Sequence, residues 1–159
     1  MSTFDRPEIP AVGIAALLED DDRRLLSGYG EFLPVQAEQV LIEENKPQDS
    51  LYFVISGVLH VHTLHEGKAA LLARIEAGTT IGEVNVFDPS TASASVTAKT
   101  FAQVWRADRE AIEQFVEAYP DAGSKLLMGI LGDMSKRIRS MNEKLATAEL
   151  EAALRSYWH

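Results

Sequence analysis

Two stretches of the sequence hold residue types able to do chemistry. In LHVHTLH, residues 59–65, His60 and His62 lie two apart. On a strand that spacing puts both imidazoles on one face, as a metal pair requires, and Glu66 follows as a candidate carboxylate ligand. The second stretch, IGEVNVFDPSTASASV, residues 81–96, joins Gly82-Glu83 to a hydroxyl-rich loop, and its only charges are Glu83 and Asp88. A glycine and a glutamate opening a one-turn helix after a strand offer free N–H groups at the helix start and a carboxylate that accepts from hydroxyls. The hydroxyls of a sugar suit that carboxylate, whereas a phosphate finds no cation in the loop.

The metal pattern does not extend further. Leu59 and Val61 are the apolar partners in the strand alternation and belong to the core, which leaves His60 and His62 on a solvated outer face, and no later strand supplies another histidine. No G-x-S-x-G motif is present, and the serines of STASAS have no histidine base evident in the sequence. Phosphate loops of the Walker or dinucleotide type are absent too. The expectation is no catalytic residue, no metal and no enzyme.

Composition narrows the partners. The chain has 159 residues, enough for one core plus an appendage, and carries 24 acidic against 15 basic residues for a net charge of −9. Such a field repels nucleic acid and anionic lipid. There is no cysteine, hence no disulfide or thiolate chemistry. The start, MSTFDRPEIP, has no apolar signal region, and no run approaches a membrane span, so a cytoplasmic protein without a membrane partner is expected.

The elements that must position these residues follow from periodicity. Residues 1–10 read as a loose leader, and Gly13 to Ser27 as one amphipathic helix closed by Gly28. From Glu31 to Arg106 the texture is short β-rich runs: EFLPV, EQVLIEE, SLYFVIS, VLHVHTLH, AALLARI, ASASVTAK and FAQVWRA. Glycines and prolines punctuate them, as in a barrel or jelly roll. Hairpins are expected at Ser56-Gly57 and at Glu66-Gly67. Asp108 is placed to cap a helix that Tyr119-Pro120 ends, and a second helix then runs from near Asp121 towards Trp158. Along it Leu127, Leu131, Met134, Ile138, Met141, Leu145, Ala148 and Ala152 alternate at intervals of four and three. That is the coiled-coil period, with Leu131, Ile138, Leu145 and Ala152 at a. Residues 11–120 are therefore expected to form the roll, and 121–159 a long helix that makes a homodimer through 121–152. A long helix folded back on the roll is the alternative.

Over about residues 14–145 the chain resembles the cyclic nucleotide-binding domain. The resemblance is carried by SLYFVISGVLHV, the EGK turn at 66–68, EAGTTIGEVNVF and AKTFAQVW, with Gly57, Gly67, Gly78 and Gly82 at turns of the family. It implies a fold that is mainly β with α, an antiparallel β-roll (jelly-roll-like, a double-stranded β-helix) between an N-terminal helix and a long C-terminal coiled-coil-like helix. It also implies a cyclic AMP or cyclic GMP site in which Glu83 accepts from the ribose 2′-hydroxyl, Gly82 and Val84 supply backbone contacts, and an arginine before Ser93 holds the phosphate. That position is Ala92, and Thr91 replaces the proline before it. A charge-assisted hydrogen bond is worth about 1.5–3 kcal/mol, so the loss weakens binding by about tenfold to 150-fold unless compensated. Ser93, Ser95, Thr91 and the N–H of Ala94 are the compensating donors within the loop, and Arg74 on a preceding strand is the candidate cation to reach in. Members of the family often add a helix-turn-helix domain after the long helix. With SYWH following the helix and the acidic charge, direct DNA binding is not expected. The function implied is a sensor module read by an unknown downstream protein, and the alternative is a ligand-free dimerisation or interaction module on the same fold.

Overall fold

A computed structural model of the chain describes residues 7–158. Ten strands make two antiparallel four-stranded sheets and a two-stranded ribbon. β1 (Glu31–Val35), β10 (Ala102–Asp108), β4 (Ser50–Ser56) and β7 (Thr80–Ile81) form the first sheet in that order. β2 (Val40–Ile42), β9 (Ser95–Ala98), β5 (Leu59–His65) and β6 (Lys68–Ile75) form the second, while β3 (Pro47–Gln48) pairs with β8 (Ser90–Thr91). The β-roll is thus as the sequence implies, except that the two-residue strands β3, β7 and β8 are too short to show a period.

The core has two compartments, and β4 divides them. Tyr52 and Val54 point into the roll with Leu59, Val96 and Val104. Leu51 and Phe53 point the other way, to a layer that holds Trp105, Ile112, Phe115, Leu126 and Ile130. A strand buried on both faces needs an unbroken apolar run, which is why SLYFVIS reads as it does. Trp105 is fixed in this second layer by its indole N–H, which donates to the Ser27 carbonyl at 3.2 Å.

Three local expectations are corrected. Gly57 is no hairpin, because β4 and β5 belong to different sheets, and the glycine turns the chain across the roll's edge. Its φ is +92°, and a Cβ there would lie 2.6 Å from the Phe101 carbonyl oxygen, so only glycine allows the crossing. The helix expected over 13–27 is split into a 3-10 turn, Gly13–Ala15, and α1, Asp20–Ser27. Asp20, Asp21 and Asp22 fall in the first turn of α1, where the helix dipole favours carboxylates, and a helix therefore starts there. The loose leader does not hold at Ile9, which is 2% exposed and whose N–H donates to Ser27 Oγ at 2.9 Å, since an isolated isoleucine gains by burial. Met1 to Arg6 lie outside the described residues. The Glu66-Gly67 hairpin forms between β5 and β6, with both residues at positive φ.

Two more helices close the fold. In α3 (Arg109–Ala118) the Asp108 carboxylate accepts from the Ala111 N–H at 2.8 Å, the expected cap. α4 runs from Pro120 to Tyr157, with proline in its first turn. Ala122, Leu126 and Ile130 on one face of α4 pack into the helix-side core. From Ile138 onwards every described residue is exposed. The helix therefore both packs back on the roll and projects beyond it. Two substitutions separate these halves. Ile130→Ala is expected to cost about 2–5 kcal/mol in urea denaturation and Leu150→Ala under about 0.5 kcal/mol, and comparable losses would contradict the division.

Candidate functional site

The chain enters the Gly-Glu turn from β7 and leaves it through a short helix, α2 (Glu83–Phe87). Gly82 caps α2 with φ +82°, and a Cβ on it would sit 2.3 Å from the Ser50 carbonyl oxygen. Gln48 fixes that approach from below: its amide donates to the Ser50 carbonyl at 2.7 Å and accepts from the Ser50 N–H at 2.6 Å. The turn is thus built against the start of β4, and only glycine fits it.

Glu83 emerges from this turn 3% exposed. Its partner is Arg137, one-third exposed on α4, whose guanidinium donates to Glu83 Oε1 and to the Thr80 carbonyl. Asp133, one turn earlier on α4, meets the same guanidinium at 2.9 Å. Burial pushes the Glu83 carboxyl above its usual range. Arg137 and the backbone N–H of Glu83 offset part of that rise, and Asp133 adds to it. Glu83 Oε2 and Thr80 Oγ1 are buried without a hydrogen-bond partner. A carboxylate held this way has one oxygen committed to the long helix and one left to accept.

A cavity of about 510 Å³ lies beside Glu83, between α2, the loop before β9 and α4. All six residues expected at the site, Gly82, Glu83, Val84, Ala92, Ser93 and Ala94, line it. The hydrocarbon wall comes from Val61, Leu72 and Ile75 on the β5–β6 hairpin and from Met134, Ile138 and Met141 on α4. The structure thus brings the site residues together and adds the long helix as a fourth side.

Of the compensating groups, Ser93 and Ala94 line the cavity. Ser95 Oγ accepts from the Glu44 N–H at 2.9 Å, and Thr91 pairs with Pro47 in the ribbon. Arg74 is not among the residues lining the cavity, and its guanidinium meets Glu76 at 3.1 Å in solvent. Ala92 is 3% exposed, its N–H donates to the Lys46 carbonyl at 2.9 Å and its carbonyl accepts from the Asn45 N–H at 2.8 Å. Asn85 lines the cavity while its amide donates to the Ser90 and Thr91 carbonyls, bracing the loop. Arg137 is the functional side chain that sequence reasoning misses. Its one signal is a basic residue four after Asp133, beside the coiled-coil stripe. The histidines form no comparable site: His62 Nε2 lies 2.9 Å from Thr97 Oγ1, and no group of three metal-ligating side chains occurs among the described residues.

Comparison with known proteins agrees with this geometry. A family model described as "Cyclic nucleotide-binding domain" matches residues 32–119. The chain is 29% identical over 104 residues to a CRP-like cAMP-activated global transcriptional regulator of Mycobacterium tuberculosis, covering 65% of this chain and 45% of that protein. It is 35% identical over 100 residues to a cGMP-dependent protein kinase of Caenorhabditis elegans, covering 63% of this chain and 12% of the kinase. The match therefore spans half or less of these relatives. Among solved structures, a cyclic nucleotide-binding domain from Methylobacillus flagellatus superposes with a TM-score of 0.76 at 24% identity, over 81% of this chain and 73% of that one. The Thermus thermophilus catabolite activator protein does so with a TM-score of 0.76 at 19% identity, over 86% and 62%. With its β-roll, its Gly82-Glu83 turn and a family match across more than half its length, the chain belongs to the cyclic nucleotide-binding domain family.

Proposed function

We propose that the chain is a regulatory sensor module, in which a ligand in the cavity alters how α4 sits on the roll and a partner protein reads the change. The supporting observation is that one cavity is lined both by the cassette, through Glu83, and by α4, through Met134, Arg137, Ile138 and Met141. A ligand touching both sides has different contacts in the docked and undocked states of α4, and that difference is what shifts a conformational equilibrium. The role is regulatory rather than catalytic, in the cytoplasm, without direct contact to DNA or membrane. No described helix is long and apolar enough to cross a membrane.

Cyclic AMP and cyclic GMP are named for the relatives, and in this reading the methyl of Ala92 gives the phosphate of either one no countercharge. In a thermal-shift series, a cyclic nucleotide at a hundredfold excess over its Kd adds about 2.7 kcal/mol to stability. The wild type is expected to respond to either nucleotide only at high concentration. Ala92→Arg is expected to bind about tenfold or more tightly, by restoring a charge-assisted contact. A variant as weak as the wild type would place the loss of affinity beyond this one residue. Silence of both proteins at millimolar nucleotide would remove cyclic nucleotides as ligands.

Dimerisation through residues 121–152 belongs to the same proposal. Leu131, Ile138, Met141 and Leu145 are 57–66% exposed along one stripe of α4, a row of large apolar side chains that a second copy of the helix covers. This stripe also supports the alternative reading, a ligand-free module that works through dimerisation alone. Sedimentation equilibrium is expected to give a dimer for the wild type and a monomer for Leu131→Asp/Leu145→Asp. A monomeric wild type would contradict the coiled coil.

A further inference from the structure

The cavity offers little to an anion. Arg137 is the one basic side chain among its described lining residues, and its guanidinium is shared between Glu83 and Asp133, two carboxylates against one cation. The position that would carry a phosphate-binding arginine is the methyl group of Ala92, packed in the roll's core with its backbone groups satisfied by Lys46 and Asn45. Ser95 Oγ accepts from the Glu44 N–H, and the donors at the cavity, Ser93 and the N–H of Ala94, are uncharged. An ionised ligand entering here gives up its hydration without a free countercharge to replace it.

What the cavity does offer is an apolar wall, the carboxylate of Glu83 and neutral polar groups at Ser93 and Ala94. Val61, Leu72, Ile75, Met134, Ile138 and Met141 supply hydrocarbon and thioether surface. Glu83, 3% exposed, keeps Oε2 without a hydrogen-bond partner while Oε1 is held by Arg137. A buried acceptor left unmatched is costly, and a donor from a ligand relieves that cost. A largely apolar pocket with a few convergent polar groups is the usual form of a site for a small amphipathic molecule.

We infer that the cavity takes an uncharged amphipathic small molecule, with a hydroxyl or N–H donor directed at Glu83 and an aliphatic or ring body against the β6 and α4 wall. The inference rests on the reading of the cavity as a sensor site, and it departs from a cyclic nucleotide in the sign of what the site rejects. An anionic ligand is disfavoured by Glu83 and Asp133, which share the one nearby cation, while a neutral one does not meet that penalty.

Isothermal titration calorimetry on the full chain at pH 8 tests this with a matched pair, 1-octanol and octanoate, alongside cyclic AMP. The expected result is saturable binding of 1-octanol at one site per chain, with octanoate and cyclic AMP each weaker by about tenfold or more. Ala73→Trp, which fills the cavity from β6, is expected to abolish octanol binding while circular dichroism stays that of the wild type. The comparison of the pair in the wild type stands without this variant. Octanoate or cyclic AMP binding as tightly as octanol, or no binding of octanol, would overturn the inference and leave the sensor reading standing. Silence towards all three probes, in the wild type and in Ala92→Arg alike, would overturn both.

Discussion

The buried ion pair between Glu83 and Arg137 is the constraint on which the arrangement of roll and long helix depends. Glu83 is carried by a turn that only glycine can make, at the edge of the first sheet, and Arg137 by the fifth turn of α4. An unpaired carboxylate at 3% exposure would be strongly unfavourable. The guanidinium that relieves it also bonds the Thr80 carbonyl, which ties α4 to β7 by backbone as well as by charge. Ala122, Leu126 and Ile130 anchor the preceding turns of the same helix by burial alone. Apolar packing therefore fixes where α4 starts, and one polar contact fixes how its middle lies over the cavity.

That division assigns different work to different parts of one helix. The first turns are structural, because their side chains share a core with Trp105 and Phe115. The middle faces two ways, with Met134 and Arg137 towards the cavity and Leu131 towards solvent. Ile138 and Met141 line the cavity and are still 57% and 66% exposed, so they belong to both surfaces. A ligand and a second copy of the helix would meet at these two residues. If α4 dimerises as proposed, that shared pair of side chains would couple the cavity to assembly.

Most of the fold is legible in the sequence wherever the determinant is local. Asp108 caps α3 because its carboxylate reaches a backbone N–H three residues on, and Glu66-Gly67 makes a hairpin because both residues adopt positive φ. SLYFVIS announces a strand buried on both faces. Gly57 shows the limit: its conformation turns the chain, but which sheet receives the next strand is decided by β9 and β10, about 40 residues later. Likewise the split of residues 13–27 depends on Ile14 docking beneath α4, where Gly129 admits the Ile14 carbonyl. The six residues expected at the site could be named together because the family resemblance places them in one cassette, and all of them line the cavity. Arg137 was not, since its partner is 54 residues away and nothing near it in sequence marks it as buried. The fate of Ser95 and Thr91 was hidden for the same reason, as their hydrogen bonds and pairings are made to the segment 44–47.

The most direct measurement of the central claim is the stability of Arg137→Ala against the wild type as a function of pH. Burial raises the pKa of Glu83 in the folded protein, so the stability contributed by its neutral form is present below the unfolded value and is lost as pH rises through the folded one. Removing the guanidinium takes away the group that offsets this loss. Because Arg137 is one-third exposed, the penalty is discounted to about 2 kcal/mol at pH 8. It is expected to shrink steadily as the pH falls through the raised titration range of Glu83 and the carboxylate takes up a proton. A loss of the same size at every pH would contradict the account, because it would mean that Arg137 acts by packing and not by holding the charge of Glu83.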